Sequence, residues 1–197
     1  MKQNQGKNPG QNAGQQNLYD IFLDLLRDMF DAENQLVAAL PNLAKAANHA
    51  DLKEAFTQHL EETKNQVQRL KKIFKTLNEN PTGKTCVAMQ GLIKEGEEVI
   101  NSSNESPSVK DVALIIAAQK VEHYEIASYG SARALARQLN EIDSRRNIDF
   151  DEIADTIQTS LDEEGEANEK LTMLAEGGVF TTGINAEARD EEELHNR

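Results

Sequence analysis

The stretch DVALIIAAQKVEHYEIASYGSARALARQL, residues 111–139, is the part of the sequence that decides the fold. Its apolar residues recur at helical spacing and cover more than one side, which predicts the most enclosed helix of a bundle. Ser106 and Pro107 precede it as an N-cap and a proline in the first turn, where proline is tolerated. Acidic residues nevertheless interrupt its apolar surface, at Glu122 and Glu125.

Three further long helices are predicted, because apolar residues recur at spacings of three and four. They cover residues 18–47, 51–79 and 149–176, and a short amphipathic helix covers residues 86–101. Pro41 either kinks the first helix or ends it. The N-caps are expected at polar residues that have an acid three positions later, namely Asn17, Asp51 and Asp149.

The connections between these helices distinguish between bundle types. Few residues join the first long helix to the second, or the third to the fourth, so each of these pairs must be antiparallel. Roughly thirty residues separate the second long helix from the third, enough to run the length of a bundle. We therefore expect an all-α fold, a ferritin-like four-helix bundle whose long crossover carries the extra short helix.

The chain is expected to form one domain between two tails. Residues 1–17 are rich in Gln, Asn and Gly, and have almost no apolar side chain that could offset the entropy of ordering them. Residues 177–197 begin with two glycines and contain the acidic run 190–193, which is typical of a solvated segment. We predict a disordered tail, a bundle at 18–176 and an acidic flexible tail.

Composition argues against several classes of protein. With 21 Lys and Arg against 34 Asp and Glu, the net charge is −13, which does not suit a nucleic-acid binder. The sequence has neither an apolar run long enough to span a membrane nor the apolar segment of a secretory signal. Cys86 is the single cysteine, which fits a reducing compartment. We expect a cytoplasmic protein with neither a nucleic-acid nor a membrane partner.

Each long helix carries an acid on or beside its predicted inward face. Glu33, for example, lies seven residues after Leu26 and seven before Leu40, in the middle of an apolar stripe. Counted from the two short connections, the acids of the four helices lie within about one helical turn of the same level. They can therefore meet in one layer near the middle of the bundle. The acids are Glu33, Glu62, Glu122 and Glu164, accompanied by His59, His123 and Glu125.

Several carboxylates in an apolar interior must be protonated, meet cations or bind metal. Oxygen and imidazole ligands without a thiolate cluster suit iron or manganese, so we predict a two-ion carboxylate centre formed from these seven residues. The alternatives stay open. A single inward Glu is more often a helix-edge or Arg-paired residue, and His59 alone is more often a core histidine. His123 can equally orient a carboxylate.

The chain resembles the ferritin-like stress-protein family of bacterial YciF and YciE over about residues 18–176. This resemblance implies a ferritin-like bundle, a homodimer, a two-metal carboxylate centre and an association with bacterial stress. The runs that carry it are AENQL (32–36), HLEETKNQVQRL (59–70), CVAMQGLIKEGEEVI (86–100) and AAQKVEHYEIASYG (117–130).

The ferritin-like ligand pattern has a Glu on the first and third helices and Glu-x-x-His on the second and fourth. Glu33 and Glu122 match the single acids, whereas neither Glu62 nor Glu164 is followed by a histidine three residues later. His59 instead precedes Glu62 by three. The expected chemistry of such a centre is oxidation of Fe(II) or removal of peroxide. The alternative is a non-enzymatic helical stress protein without a functional metal site.

Overall fold

The computed structural model describes residues 16–103, 106–142, 148–178 and 181–195. The predicted disordered tail lies outside these residues, except for its last two positions. None of the helices in the described ranges has both the length and the apolar character that crossing a membrane requires. The helices are α1 (Leu18–Ala46), α2 (Ala50–Leu77), α3 (Val87–Asn101), α4 (Pro107–Ile142), α5 (Phe150–Glu176) and α6 (Ile184–His195).

Helices α1, α2, α4 and α5 form the bundle, which confirms the predicted all-α fold. α1 packs on α2 and α4, and α5 packs on the same two helices. The backbone N–H of Asn48 donates to Oδ1 of Asp111 at 2.8 Å, which places the start of α4 beside the end of α1. At the opposite end the rings of Tyr19 and Phe150 meet edge to face, 6.3 Å apart. The connection between α2 and α4 therefore runs the length of the bundle, and its helix α3 packs on α1 and α4.

Two of the three N-caps expected from an acid three positions later are present. Asn17 and Asp20 form a capping box in which each side chain accepts the backbone N–H of the other residue. Asp149 accepts the backbone N–H of Glu152 at 3.0 Å and caps α5. Pro41 lies inside α1 and does not end it.

The start of α2 differs from the prediction. Its N-cap is His49, whose Nδ1 accepts the backbone N–H of Asp51 at 3.2 Å, so Asp51 lies in the first turn instead of capping the helix. The backbone N–H of His49 donates to Oδ2 of the buried Asp111 at 2.6 Å. This contact from a distant helix fixes the position of the cap, and the local sequence gives no sign of it.

Apolar side chains fill both ends of the bundle and leave a polar layer between them. One cluster in the described residues contains Phe22, Phe74 and Phe150, and another contains Leu40, Leu52 and Leu114. Since both clusters exclude water, the polar side chains between them are buried as well. These buried polar residues are Glu33, His59, Thr63, Gln66, Glu122, Glu125, Ser128, Ser160 and Glu164.

The segment after α5 has secondary structure that the sequence analysis did not predict. α5 ends at Glu176, and its C-cap is Gly177, where φ is 80° and a Cβ would lie 2.5 Å from the carbonyl oxygen of Thr181. The strands β1 (Gly177–Gly178) and β2 (Thr181–Thr182) pair there and turn the chain back. Helix α6 then packs on α4 and α5 through the buried Ile184 and Ala188. The acidic run 190–193, expected in solvated chain, lies on this helix.

Candidate metal centre

Four buried side chains in the described residues meet in the polar layer. His59 comes from α2, Glu122 and Glu125 come from α4, and Glu164 comes from α5. One ligand atom from each residue lies within 4.8 Å of those of the other three. The Nε2 atom of His59 is 3.5 Å from Oε1 of Glu122 and 3.8 Å from Oε2 of Glu164. This arrangement is the geometry of a candidate metal centre.

The sequence of α4 directs both of its carboxylates inwards. Glu122 and Glu125 are three residues apart, so they lie on the same face of the helix. Ala118 precedes Glu122 by four residues and Tyr129 follows Glu125 by four, and both are buried on that face. Turning the carboxylates towards water would therefore expose apolar surface above and below them, which holds the two acids in the interior.

The donor atoms at the centre fit a divalent metal ion. Unpaired buried polar atoms cost about 1–3 kcal/mol each, and a cation can satisfy several carboxylates at once. Oxygen and imidazole donors without thiolates suit iron or manganese. The described residues provide no hydrogen-bond partner for Oε2 of Glu33, Nε2 of His59, Oε2 of Glu122, either carboxylate oxygen of Glu125, or Oε2 of Glu164.

The centre is strongly acidic and poorly solvated. Burial raises the pKa of Glu122, Glu125 and Glu164, and mutual repulsion among the carboxylates raises the pKa of Glu125 and Glu164 further. Burial also raises the pKa of Glu33, to about 8, although a hydrogen bond from Tyr129 opposes the shift. The raised pKa values favour the neutral acids when no cation is bound, and a bound cation would favour their ionised forms.

His59 supplies positive charge next to the acids. Burial alone would lower the pKa of its imidazole, but the charge of Glu122 and a hydrogen bond with Glu62 raise it to about 9. Arg69 lies nearby but pairs with Glu163 and donates to Ser160. Within the described ranges, neither Lys nor Arg forms an ion pair with any of the four candidate ligands, so guanidinium groups do not neutralise the centre.

Glu33 and Glu62 lie beside the four candidate ligands but are not among the residues whose ligand atoms converge. Glu33 is 1% exposed and its Oε1 accepts a hydrogen bond from the hydroxyl of Tyr129. Glu62 has a side chain that is 28% exposed, and its Oε2 lies 3.3 Å from Nδ1 of His59. Glu62 therefore contacts the imidazole nitrogen that does not face Glu122.

His123 points away from the centre. It follows Glu122 by one residue, which rotates its side chain by about 100° around the helix. The side chain is exposed, and its Nδ1 lies 2.8 Å from the carbonyl oxygen of Gln119 on the same helix. The structure therefore does not bring His123 together with the other predicted ligands.

The amide side chain that contacts Glu164 was not predicted from the sequence. Gln66 is fully buried, and its Nε2 donates to Oε1 of Glu164 and, at 3.1 Å, to Oε2 of Glu163. A signal was available, because Gln66 follows His59 by seven residues and so lies on the same face of α2. The contact to Glu163 links the centre to the ion pair of Arg69.

Comparisons with known proteins agree with the fold. Protein YciF of Escherichia coli (strain K12) is 44% identical over 161 residues, covering 81% of this chain and 91% of YciF. The solved structure of the E. coli stress protein YciF matches with a TM-score of 0.74 and 43% identity, covering 81% of this chain and 95% of that one. YcfI, a proposed structural protein from Rhodopseudomonas palustris, matches with a TM-score of 0.74 and 39% identity over 83% of this chain and 98% of its own.

A protein-family profile matches most of the chain and shows its family. The profile of a domain of unknown function, DUF892, matches residues 17–187. This range contains the whole bundle and the first residues of α6. The resemblance to the YciF family that the sequence motifs carry is confirmed, and the chain belongs to the DUF892 family.

Proposed function

We propose that this protein binds iron or manganese at the buried centre formed by His59, Glu122, Glu125 and Glu164. The observation that carries the proposal is the convergence of these four side chains, with one ligand atom each within 4.8 Å of the others. The unpaired oxygen and nitrogen atoms at the centre support it, because a cation would satisfy them together.

A second metal ion is part of the proposal. Glu33 and Glu125 would share it, since Oε2 of Glu33 and both oxygens of Glu125 are unpaired within the described residues. A two-metal carboxylate centre is the arrangement that the resemblance to the ferritin-like family implies. Glu62 would support the centre through His59, and His123 would act only as an outer residue near Glu122.

The chemistry proposed for the loaded centre is oxidation of Fe(II) or removal of peroxide in the bacterial cytoplasm under stress. Bound iron or manganese would supply the redox capacity, as in other carboxylate centres. The residues of the chain hold the carboxylates in place, and the apolar clusters on both sides exclude bulk water. The name of the E. coli relative as a stress protein supports this context. A homodimer is proposed from the family resemblance.

A second candidate function is that of a helical structural protein without a functional metal site. The hydrogen bonds from Tyr129 to Glu33 and from Gln66 to Glu164 favour it, because they stabilise buried acids without a metal. The raised pKa values allow these acids to be neutral. The related protein from R. palustris, described as a proposed structural protein, fits this alternative.

Metal stoichiometry distinguishes the two candidates. The protein is loaded anaerobically with Fe(II) or Mn(II), desalted and analysed for bound metal, and the measurement is repeated on Glu33→Ala and Glu164→Ala. Glu169→Ala, at an exposed acid on α5, is the matched control, and circular dichroism checks the helical content of each variant. We expect stoichiometric metal in the wild type and control and a loss in both variants. Substoichiometric metal that neither change affects would favour the structural protein.

A further inference from the structure

A cavity between α2 and α5 connects the surface with the candidate centre. Its volume is about 120 Å³. The exposed Gln58 and Glu166 lie on its wall, and so do the buried His59 and Glu122. Ala167 lies on the same wall without filling the space. A single cavity therefore contacts both solvent-facing residues and two of the four candidate ligands.

A line of polar contacts follows the wall of this cavity inwards. Nζ of Lys170 donates to Oε1 of Gln58 at 2.7 Å, and Nε2 of Gln58 donates to Oε1 of Glu62 at 2.8 Å. Oε2 of Glu62 lies 3.3 Å from Nδ1 of His59, whose Nε2 lies 3.5 Å from Glu122. These contacts connect a half-exposed lysine to His59, whose other ring nitrogen faces the buried Glu122.

One of the candidate ligands on the wall of the cavity, His59, has a ring nitrogen without a hydrogen-bond partner among the described residues. His59 is 6% exposed, it lines the cavity, and its Nε2 has no hydrogen-bond partner among the described residues. A cation that leaves water needs replacement oxygen ligands, because burying an isolated charge is costly. Carboxylates are available along the wall at Glu166, Glu62 and Glu122.

Lys170 contributes a positive charge to the wall of this cavity. It is the only lysine or arginine among the described residues that line the cavity, and its positive charge opposes the approach of a divalent cation. It also holds Gln58, which in turn holds Glu62 against His59. Removing the charge of Lys170 would weaken its repulsion of an approaching divalent cation. It would also weaken the restraint that Gln58 places on Glu62.

We infer that this cavity is the entrance for the divalent metal ion, that Glu62 is the carboxylate that receives the ion on its way inwards, and that Lys170 slows its passage. The inference rests on the proposed function and adds a route and two positioning residues to it. It also gives Glu62 a role that does not require it to be a permanent ligand.

The test measures the rates of Mn²⁺ uptake and release, with free Mn²⁺ followed by its electron paramagnetic resonance signal. Ala167→Leu narrows the cavity, and we expect it to slow uptake and release by the same factor, about tenfold, because an added barrier leaves the equilibrium unchanged. Glu62→Gln should slow uptake about threefold, and Lys170→Gln should accelerate it about threefold at low ionic strength. High salt should reduce the effect of Lys170→Gln.

Matched variants away from the cavity make the test specific. Ala38→Leu changes an exposed alanine on α1, and Lys120→Gln removes an exposed lysine on α4 that pairs with Glu95. Both should load at the wild-type rate. If Ala167→Leu and Lys170→Gln also load at that rate, the entrance lies elsewhere and the inference is wrong. Lys170→Gln alters a half-exposed side chain and tests the route independently of packing at Ala167. A wild type that binds no Mn²⁺ at equilibrium overturns the proposed function as well.

Discussion

The hydroxyl of Tyr129 donates a hydrogen bond to Oε1 of Glu33 and joins α4 to α1 beside the candidate metal centre. Both residues are 1% exposed. Burial raises the pKa of Glu33 to about 8, and this hydrogen bond acts against the shift by favouring the carboxylate. Tyr129 therefore holds one oxygen of Glu33, while the other oxygen has no hydrogen-bond partner among the described residues.

Replacing Tyr129 by Phe should destabilise the metal-free protein by about 1–3 kcal/mol, because Oε1 of Glu33 would lose its donor in a buried site. The free energy of unfolding in urea measures this effect. Tyr124→Phe is the comparison, since the Tyr124 hydroxyl contacts Asp28 and Cys86 in a less buried position. We expect Tyr124→Phe to lower the free energy of unfolding less than Tyr129→Phe does. Equal stability of Tyr129→Phe and the wild type would show that the hydrogen bond contributes nothing.

The metal-free protein should lose stability as the pH rises from about 6.5 to 9. His59 has a pKa of about 9 in the folded state and 6.5 when unfolded, so its contribution is complete below pH 6.5 and is lost as the pH passes through 9. Glu33 acts with the same sign, because its folded pKa of about 8 exceeds the unfolded value of 4.5. Urea unfolding at several pH values measures the trend.

Glu33→Gln provides the control for this pH dependence. The amide cannot titrate, so the variant should lose less stability than the wild type between pH 6.5 and 8, where Glu33 and His59 both contribute. A wild type whose stability is flat or rises over this range would contradict the assignment of raised pKa values to these groups.

Most of the bundle was predictable because local signals and packing agree along the four long helices. Caps such as Asn17 and Asp149 stand directly before apolar stripes, and the length of the crossover determines how the helices connect. Helix α6 was missed because two apolar residues, Ile184 and Ala188, provide its buried contacts within a strongly acidic segment. Periodicity analysis needs more apolar positions than these to predict a buried helix.

The candidate centre was predictable to the extent that it follows from helix geometry. Counting residues from the two short connections places His59, Glu122 and Glu164 at one level, and the structure brings them together. Their role as metal ligands stays a prediction. Counting did not predict that Glu33 turns to Tyr129, because that contact depends on how side chains from two helices pack. The pairing of Arg69 with Glu163 was missed for the same reason.

Replacing Asp111 by Ala should cost about 3 kcal/mol, because its buried carboxylate accepts the backbone N–H groups of Asn48 and His49. These bonds attach the start of α4 to the connection between α1 and α2. Urea unfolding measures the loss. Asp111→Asn keeps one acceptor oxygen, so its free energy of unfolding should fall less than that of Asp111→Ala. Asp155→Ala changes an exposed acid and should have little effect on the free energy of unfolding. Equal stability of the two Asp111 variants would argue against the two-acceptor role.

Replacing Ile184 by Ala should loosen α6 while leaving the bundle intact. Ile184 is 2% exposed, and removing its buried methyl groups costs about 2 kcal/mol or more. Hydrogen exchange should therefore become faster in the amides of α6 and stay unchanged in those of α2. Leu194→Ala, on the same helix but 71% exposed, is the matched control and should have no effect. Unchanged exchange in α6 of the Ile184 variant would mean that other contacts hold this helix.

Metal binding should release protons and become tighter as the pH rises. At pH 7 the imidazole of His59, with a pKa of about 9, and the carboxyl of Glu33, with a pKa of about 8, are protonated in the metal-free protein. A metal ion binds the deprotonated forms, so its binding must displace these protons. Isothermal titration calorimetry of Mn²⁺ binding in two buffers with different ionisation enthalpies measures the number released.

We expect at least two protons per protein at pH 7, since the raised pKa values of Glu125 and Glu164 add to those of His59 and Glu33, and fewer at pH 9, where Glu33 is largely and His59 about half deprotonated already. Glu33→Gln removes one of these protons and should lower the number at pH 7 by about one, if the remaining ligands still bind Mn²⁺. Binding without proton release at pH 7 would mean that Mn²⁺ occupies exposed carboxylates such as those of α6, since surface acids are already ionised at that pH.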